Sequence, residues 1–400
     1  MPDLILAVNS GSSSLKCSLF SLPDYEQICR IEAKSVAGLP TATLTSNRLN
    51  LSEELTESNL KCFVDSAVSL LEQFLKAEKP GTIRAVGHRI VQGGSLFDGP
   101  CILDEEADRK ILSLVPLAPL HNPANLACYH EFSRVMPEDV KQVAVFDSTL
   151  FKDLPESERT LPLPKELTEK YGIRRYGAHG ISHGFLHREV KRILNLKPDS
   201  RVITMHIGSG ASLAAFKGDR CIATSMGLTP LGGVMMGTRS GDIDPSAATY
   251  LAEQMHMDMG ELTYMLTKRS GLLGISGITS DVEVLEQRAY VHGDKNSELA
   301  LDMFTSRIAD FVAAYTFKLG HVDALVFSGG VYENSPRLRK NLADILSEPL
   351  GFKLDKVANI RTKNGITEVI TAEDSKVVGI VIPTQEEKMI AMETARVIGL

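Results

Sequence analysis

Hydrophobic and polar positions near the start of the chain predict a β-hairpin. A continuous apolar run covers residues 4–8, small polar residues fill 9–14, and an alternating pattern returns at 15–20. Two strands joined by a tight turn give this pattern. The tip is rich in serine and glycine, so it offers backbone N–H groups and hydroxyls to a phosphate, although an ordinary hairpin has the same sequence features.

A second copy of this pattern lies half a chain later. Residues 202–206 form another apolar run, and the tip at 206–212 leads into a further apolar stretch. The repeat indicates two similar lobes, whose hairpins would grip a polyphosphate from both sides. The two tips align residue by residue: Asn9 with His206, Gly11 with Gly208, and Ser12 with Ser209.

The remaining periodicity predicts an α/β order of elements. Residues 36–57 are weakly patterned and predict a loop with short strands. Strands are expected at 83–86, 143–146, 323–327 and 377–382. Helices are expected from Ser58, from Asp104 to about residue 115, from Asn122 as N-cap, from Ser297 to about residue 319, and over 386–398.

Length and composition indicate a two-domain protein of the cytoplasm. A chain of 400 residues exceeds one ordinary core, and a Pro-rich, charged stretch places the boundary near residue 150. We therefore expect an N-terminal lobe of residues 1–150 plus 383–400 and a C-terminal lobe of 151–382. The net charge of −7 argues against nucleic acid as a partner, and no apolar run is long enough to span a membrane. The six cysteines are scattered, without a C-x-x-C motif, which favours reduced thiols.

Neither hairpin matches a common nucleotide-binding loop. No G-x-x-x-x-G-K-[ST] motif occurs, and residues 208–213 lack the third glycine of a dinucleotide fingerprint. The strand–turn–strand arrangement remains as the way to hold ATP phosphates.

Residues 237–245 form the densest polar block. Arg239 lies there with Asp242 and Asp244 between glycines, which suits a site that binds an anion and holds its own arginine in place. A solvated surface loop is the alternative, but the apolar residues before the block weigh against it.

Three histidines recur at every fourth residue. His179, His183 and His187 would share one helix face, as metal ligands do, yet the glycines among them disfavour a helix. Metal coordination, a structural role for the last two, and a catalytic role for His179 all remain open.

The segment 328–334 reads as a strand end followed by a Gly-Gly turn that enters a helix. Glycines there would let an adenine ring lie against the backbone. The same pair of glycines is also common in ordinary turns.

Ten motifs together give the chain a resemblance to the acetokinase family. In order they are N-S-G-S-S-S-L-K, G-H-R-I-V-x-G-G, P-L-H-N-P-A, V-F-D, R-Y-G-A-H-G-x-S-H, M-G-L-T-P-L, M-G-T-R-S-G-D-I-D-P, S-G-L-L-G, G-G-V-x-E-N and P-T-x-E-E. The resemblance covers the chain from end to end. It implies an α/β protein of two RNase-H-like, actin-like ATPase lobes, each with a mixed five-stranded sheet flanked by helices, and a cleft between them. It also implies phosphoryl transfer between ATP and acetate, giving ADP and acetyl phosphate, with Mg²⁺ (or Mn²⁺ as a substitute), and a homodimer.

The resemblance also assigns roles to residues at matching positions. Asn9 and Glu386 would lie near the metal, and Asp147 would orient the site. Arg89, Arg239 and His179 would surround the transferred phosphoryl group. The acyl pocket would be lined by Val91, Leu120, His121 and Pro230. The nucleotide would contact Ser12, Ser14, Lys16, His206, Gly208, Ser209, Gly210, Asp281, Gly329, Gly330, Val331 and Asn334.

Several positions depart from the family pattern. Ser209 replaces an asparagine, which puts one phosphate contact in question, Gln92 replaces a histidine, and residues 148–151 read Ser-Thr-Leu-Phe where T-A-F-H is usual. Glu283 replaces an arginine and Tyr332 a glycine beside the expected adenine, so the preference for the purine base could differ.

The chemistry of a carboxylate acceptor removes one requirement. Acetate is ionised at neutral pH, so no general base is needed, and we expect catalysis to rest on positioning and positive charge. A propionate kinase, an ATP-gated binding protein of the same superfamily, and a metallohydrolase built on the three histidines are the alternatives.

Overall fold

The computed structural model describes residues 2–11, 14–36, 39–119 and 121–400. Its strands are β1 (Asp3–Ser10), β2 (Ser14–Ser21), β3 (Glu26–Val36), β4 (Leu39–Ser46), β5 (Asn50–Glu54), β6 (Thr82–Ile90), β7 (Cys101–Ile102), β8 (Lys141–Phe146), β9 (Arg201–Ile207), β10 (Ala211–Lys217), β11 (Arg220–Thr224), β12 (Ala324–Ser328), β13 (Glu368–Val369) and β14 (Val378–Val381).

The α-helices are α1 (Leu60–Glu78), α2 (Glu105–Ser113), α3 (Asn122–Val135), α4 (Glu156–Arg159), α5 (Lys165–Tyr171), α6 (Gly180–Ile193), α7 (Pro245–Met255), α8 (Met259–Lys268), α9 (Gly271–Ser276), α10 (Val282–Tyr290), α11 (Lys295–Leu319), α12 (Gly329–Asn334), α13 (Pro336–Leu350), α14 (Lys356–Arg361) and α15 (Glu386–Ile398). Short 3₁₀ turns lie at Val115–Leu117 and Thr149–Phe151.

These elements form two compact units. The first is Met1–Lys152 with Gln385–Leu400, and the second is Asp153–Thr384. None of the described helices is long and apolar enough to cross a membrane. All six cysteines are free, as their scattered spacing predicts.

The first unit is built on an eight-stranded sheet in the order β5-β4-β3-β2-β1-β6-β8-β7. Apolar residues of β1 and β2 pack against α1, where Phe63, Val64, Leu70 and Phe74 are buried in the same core. The C-terminal α15 packs on β1 and β6. Gly87 permits this contact, because a Cβ there would overlap the Thr394 hydroxyl and the Ile390 side chain.

The second unit repeats this plan with a six-stranded sheet in the order β11-β10-β9-β12-β14-β13. The long helix α11 buries Ala300, Phe304, Ile308 and Val312 in the core below it. Helix α6 of the same unit packs on β9 and β12.

The predicted α/β class with two mixed, helix-flanked sheets is confirmed, but the expected five strands per sheet are wrong. Five strands do share one pairing pattern: β3-β2-β1-β6-β8 matches β11-β10-β9-β12-β14, with two antiparallel and two parallel pairs. The first sheet adds β4, β5 and β7, and the second adds β13. Residues 41–45 alternate between threonine and buried apolar residues, a strand signal within the stretch predicted as a loop with short strands.

Two predicted helix starts also need correction. Asn59, and not Ser58, is the N-cap of α1, because its side chain accepts from the Cys62 N–H. His121 occupies the N-cap position of α3, while the Asn122 side chain bonds the backbone of Gln92 instead. The Asn122 side chain therefore bonds the Gln92 backbone and does not cap α3.

Candidate active site

Two adjacent strand ends in the first unit hold an ion pair. The parallel pairing of β6 and β8 sets Arg89 opposite Val145, and Asp147 follows directly after the end of β8. Arg89 donates from Nε and Nη2 to Asp147 Oδ2, at 2.8 and 2.5 Å. Because Asp147 is fully buried, this pair fixes the guanidinium at the carboxyl end of the sheet.

Asn9 and Glu386 extend this pair. Arg89 Nη1 donates to Asn9 Oδ1 at 3.1 Å, and Asn9 Nδ2 donates to Glu386 Oε2 at 3.2 Å. Burial raises the pKa of the Glu386 carboxyl, and the Arg89 charge opposes that effect. Burial alone would lower the pKa of Arg89, but Asp147 and Glu386 raise it above its ordinary value. The result is a cation flanked by two acidic groups at the end of β1.

The first hairpin brings Lys16 to the same region. Gly11 N–H donates to Ser14 O at 2.8 Å, which closes the turn. In the antiparallel register Lys16 lies opposite Asn9. Ser12, expected to bind phosphate, lies outside the described residues.

The predicted acyl-pocket residues of the first unit cluster after β6. Val91 follows Arg89 by two positions and is buried, and His121 stands at the start of α3. Leu120 lies outside the described residues. Gln92, one of the family departures, is buried and accepts from the Gly94 N–H at 2.9 Å.

In the second unit, His179 sits at the N-terminus of α6 in the left-handed region, with φ of 59°. Its Nδ1 lies 2.8 Å from Ser212 Oγ. Ser212 Oγ also contacts His183 Nε2 at 2.8 Å, and His183 Nδ1 contacts Thr204 Oγ1 at 2.7 Å. A continuous hydrogen-bonded chain thus fixes the ring of His179.

His206 belongs to a second chain of hydroxyl groups. Its Nδ1 lies 2.8 Å from Ser182 Oγ, which in turn lies 2.7 Å from Thr384 Oγ1. The rings of His206 and His179 are 4.4 Å apart, so these two chains meet at the histidines.

The second hairpin joins these groups to Arg239. A Cβ at Gly210 would lie 3.3 Å from His179 Cε1 and 3.4 Å from Arg239 Nη1. Gly237 N–H donates to Ser209 O at 3.2 Å, and a Cβ at Gly208 would lie 3.8 Å from Gly330 N. The hairpin, Arg239, His179 and the 329–334 turn are therefore neighbours.

The polar block does not hold its arginine as expected. Arg239 Nη1 donates to Pro230 O at 3.1 Å and contacts Met236 Sδ at 3.6 Å. Asp242 instead accepts from the Gly233 N–H, and Asp244 caps α7. The carboxylates of Asp242 and Asp244 therefore accept from N–H groups of the loop and of α7, and not from Arg239.

As a result, Arg239 has no carboxylate partner within the described part of the chain. Burial lowers the pKa of its guanidinium. A half-buried cation held by neutral groups suits an anionic ligand.

The 328–334 segment forms α12 directly after β12. Glu333 Oε1 accepts from Gly329 N at 2.8 Å and from Thr384 N at 3.1 Å. Asn334 donates to Gly330 O, while Val331 is partly buried. The glycine turn is thereby tied to the segment that leads into α15.

Two departures expected beside the adenine have different surroundings. Tyr332 is buried and its ring lies 5.2 Å from that of Phe327, so its side chain belongs to the core of the second unit. Glu283 is exposed in the first turn of α10, which Asp281 caps by accepting from two N–H groups. Only Glu283 of the pair is presented at a surface.

The histidine-metal hypothesis finds no support in the described residues. α6 forms despite its glycines, and His183 and His187 are buried in it. His187 Nε2 bonds Gly218 O at 2.9 Å, and both ring nitrogens of His183 bond hydroxyls. No group of three or more potential His, Cys, Asp or Glu ligands occurs in the described ranges.

Several polar residues at these clusters were not predicted. They are buried or half-buried and bond the assigned residues, and four of them lie inside motifs already quoted, without a role of their own. They are Asn122, Asn125, Ser148, Ser182, Ser212, Glu333 and Thr384.

Comparison with known proteins matches the whole chain. The model of the acetokinase family matches residues 4–392. Acetate kinase 1 of Neisseria meningitidis serogroup A is 43% identical over 401 residues, covering 99% of each chain. The crystal structure of Porphyromonas gingivalis acetate kinase is 36% identical, with a TM-score of 0.88 over 99% of this chain and 100% of that one. A propionate kinase from Francisella tularensis is 37% identical, with a TM-score of 0.89 over 98% of each. With this identity and coverage, the chain belongs to the acetokinase family.

Proposed function

We propose that this protein is an acetate kinase, which catalyses reversible, direct in-line transfer of a phosphoryl group between ATP and acetate to give acetyl phosphate and ADP. The observation that carries the proposal is the pair formed by Arg239 and His179 at Gly210, in a chain that belongs to the acetokinase family throughout. A half-buried arginine without a carboxylate partner in the described residues needs an anion, and phosphoryl oxygens supply one.

The electrostatic problem of the reaction explains the positive groups. An ionised carboxylate must approach a triphosphate, and charge spreads over the equatorial oxygens in the transition state. We propose that Arg89, Arg239 and His179 donate hydrogen bonds to those oxygens. Asp147 then acts as the group that holds Arg89, since acetate has no proton to remove.

The donor set at the end of β1 fits Mg²⁺. Mg²⁺ prefers hard oxygen ligands and usually takes one or two carboxylates plus substrate phosphates and water, so a three-ligand protein cluster is not required. Burial raises the pKa of the Glu386 carboxyl, and the Asn9 amide lies beside it. We propose that these two residues hold Mg²⁺, for which Mn²⁺ could substitute; the ion would neutralise phosphate charge when bound.

We propose that the two hairpins and the glycine turn bind the nucleotide. Lys16, the Ser12/Ser14 pair and the tip at 206–210 would contact phosphates through N–H, hydroxyl and imidazole groups. The nucleoside would lie against Gly329, Gly330, Val331, Asn334 and Asp281. Exposed Ser209 offers a shorter side chain there than the asparagine usual in the family.

The acetate methyl group is proposed to contact Val91, Leu120 and Pro230, with His121 beside the carboxylate. Buried Val91 favours acetate over the larger propionate.

We further propose a homodimer located in the cytoplasm. Large apolar side chains on α7 and α8 are exposed in the single chain, which supports a covering partner there. They are Tyr250, Leu251, Met255, Met259 and Tyr264.

Trapping of the acyl phosphate tests the proposed activity. Purified protein with Mg-ATP, acetate and hydroxylamine should form acetohydroxamate in equal amounts with ADP. In the absence of acetate, ADP release should be slow, because transfer to water is disfavoured in a closed kinase site. ADP formation without hydroxamate would contradict the proposal, and stronger formation with propionate would assign the propionate kinase alternative.

A further inference from the structure

The turn that follows β6 is held by side chains. Four consecutive N–H groups, at residues 91–94, each donate to a side-chain oxygen. The acceptors are Asn125 Oδ1 for Val91 at 3.2 Å, Asn122 Oδ1 for Gln92 at 3.1 Å, Ser148 Oγ for Gly93 at 2.9 Å, and Gln92 Oε1 for Gly94 at 2.9 Å.

This arrangement follows from the end of the sheet. The last main-chain bond between β6 and the β8 side is Asp147 N–H to Ile90 O at 2.9 Å. Beyond Ile90 the backbone remains buried but has left the strand ladder, and a buried N–H without a partner is costly. Side-chain oxygens therefore accept from the N–H groups that are no longer paired with a neighbouring strand.

Two of the acceptors come from α3 and bind at two points each. Asn122 also donates from Nδ2 to Gln92 O at 3.0 Å, so its side chain bonds both the N–H and the C=O of Gln92. Asn125 donates from Nδ2 to Ser10 Oγ at 3.1 Å and to Ser10 O at 3.3 Å. The end of β1 and the turn after β6 are thereby fixed to one helix.

Packing leaves the turn little room to shift. A Cβ at Gly93 would lie 3.0 Å from the Phe146 ring, and Gly94 has φ of +58° beside Leu114. Val91 is therefore held through its own N–H and through the residues that follow it.

We propose that Asn122, Asn125 and Ser148 form a clamp on the backbone amides of residues 91–93, and that this clamp determines acyl-chain size by fixing the position of Val91 in the acyl pocket. The inference rests on the proposed carboxylate-kinase function and deepens it. The three residues are positioning residues, because they bond the turn and not the reacting atoms. The three residues make four hydrogen bonds to the backbone of residues 91–93. With these bonds in place, Val91 cannot move aside to admit an extra methylene; without them it can.

Ser148→Ala and Ser148→Thr test the clamp as a matched pair. The alanine variant frees the Gly93 N–H, while threonine keeps the hydroxyl. We measure kcat/KM for acetate and propionate, KM for ATP, and Tm. One methylene is worth about 10–200-fold discrimination in a rigid pocket. The alanine variant should lower the acetate-to-propionate ratio by about threefold or more. The threonine variant should keep the wild-type ratio, and KM for ATP should stay unchanged in both.

A double variant distinguishes the clamp from simple loss of stability. Val91→Ala should lower the same ratio, and Val91→Ala/Ser148→Ala should lower it no further, because both changes act on one wall. An unchanged ratio in Ser148→Ala, or ratio losses that multiply in the double variant, would overturn the clamp alone. If the wild type phosphorylates neither acid, the proposed function fails, and the clamp fails with it.

Discussion

The two arginines assigned to the phosphoryl group have different surroundings. Arg89 is paired with buried Asp147, whereas Arg239 is held by Pro230 O and Met236 Sδ. Removal of Arg89 would take away the cation that pairs with the buried Asp147 carboxylate, which is strongly destabilising in proteins. Loss of activity in an Arg89 variant would therefore mix catalysis with folding.

Arg239→Ala is the cleaner catalytic test. Loss of a transition-state donor should lower kcat by ~10²–10⁴ while leaving Tm within about 2 °C of wild type, since no buried acid is left behind in the described structure. Steady-state kinetics and thermal unfolding measure the two effects. Arg269→Ala, an exposed arginine at the end of α8, is the matched control and should behave as wild type. Near-normal kcat in Arg239→Ala would remove this residue from the site.

Ser212 is predicted to act through His179. Ser212→Ala removes the hydroxyl that links His179 Nδ1 to His183 Nε2. A less well oriented imidazole should lower kcat by roughly tenfold with little change in KM for ATP, because His179 is proposed to donate a hydrogen bond to the transferred phosphoryl group. Ser212→Thr keeps the hydroxyl and should retain most activity. A change confined to KM would indicate that His179 contacts the nucleotide and not the transferred group.

At the scale of elements, α3 shows where sequence reasoning reached its limit. Asn followed by Pro predicts a helix start, and the helix does start there. The side chain of Asn122 nevertheless bonds a turn thirty residues earlier, which local preference cannot reveal. Asp242 and Asp244 were misread for the same reason, because their partners are N–H groups and not the nearby Arg239.

Buried histidines on α6 and β6 predict a pH-dependent stability. Burial, with Lys191 adding to it, lowers the pKa of His187 to about 4, and burial lowers that of His88 to about 4 as well. Between about pH 6.5 and pH 4 these two histidines are protonated in the unfolded chain but stay neutral in the folded protein. The free energy of unfolding therefore falls as the pH falls through this window. A shift of this size corresponds to about 3 kcal/mol for each histidine.

Urea unfolding at pH 7.5, 6 and 5 measures this loss. His187→Gln keeps a donor for Gly218 O and should weaken the pH dependence, although it loses the ring stacked on Phe216. His292→Gln, in an exposed residue, should leave the pH dependence unchanged. Equal slopes for wild type and His187→Gln would contradict the assignment of buried, neutral His187.

At the scale of the whole molecule, the internal repeat was predictable and its extent was not. The overlay of 9–12 on 206–209 predicts two similar lobes, because both hairpins follow strong apolar runs, and five strands of each sheet share one pairing pattern. The sequence predicts short strands within 36–57 but not that they extend the first sheet, because β4 and β5 expose one side and carry weak apolar patterns. The strands that end near Arg89 and Asp147 are predicted from strong apolar runs, whereas the pairing of these two side chains is shown only by the structure.

The exposed apolar residues of α7 and α8 predict self-association. Tyr250→Glu/Tyr264→Glu places charge on this surface and should convert a dimer to a monomer, as measured by light scattering or sedimentation. Leu112→Glu, an exposed apolar residue on α2 of the other unit, is the matched control and should leave the dimer intact. A wild-type protein that is monomeric at micromolar concentration would contradict the proposed homodimer.

The most direct test of the proposed function is ATP formation by the purified protein from Mg-ADP, with acetyl phosphate compared with propionyl phosphate. We predict that ATP forms at the rate at which acetyl phosphate is consumed, with a higher kcat/KM for acetyl than for propionyl phosphate. Release of inorganic phosphate without ATP would contradict the assignment as a carboxylate kinase, and a preference for propionyl phosphate would contradict its assignment to acetate.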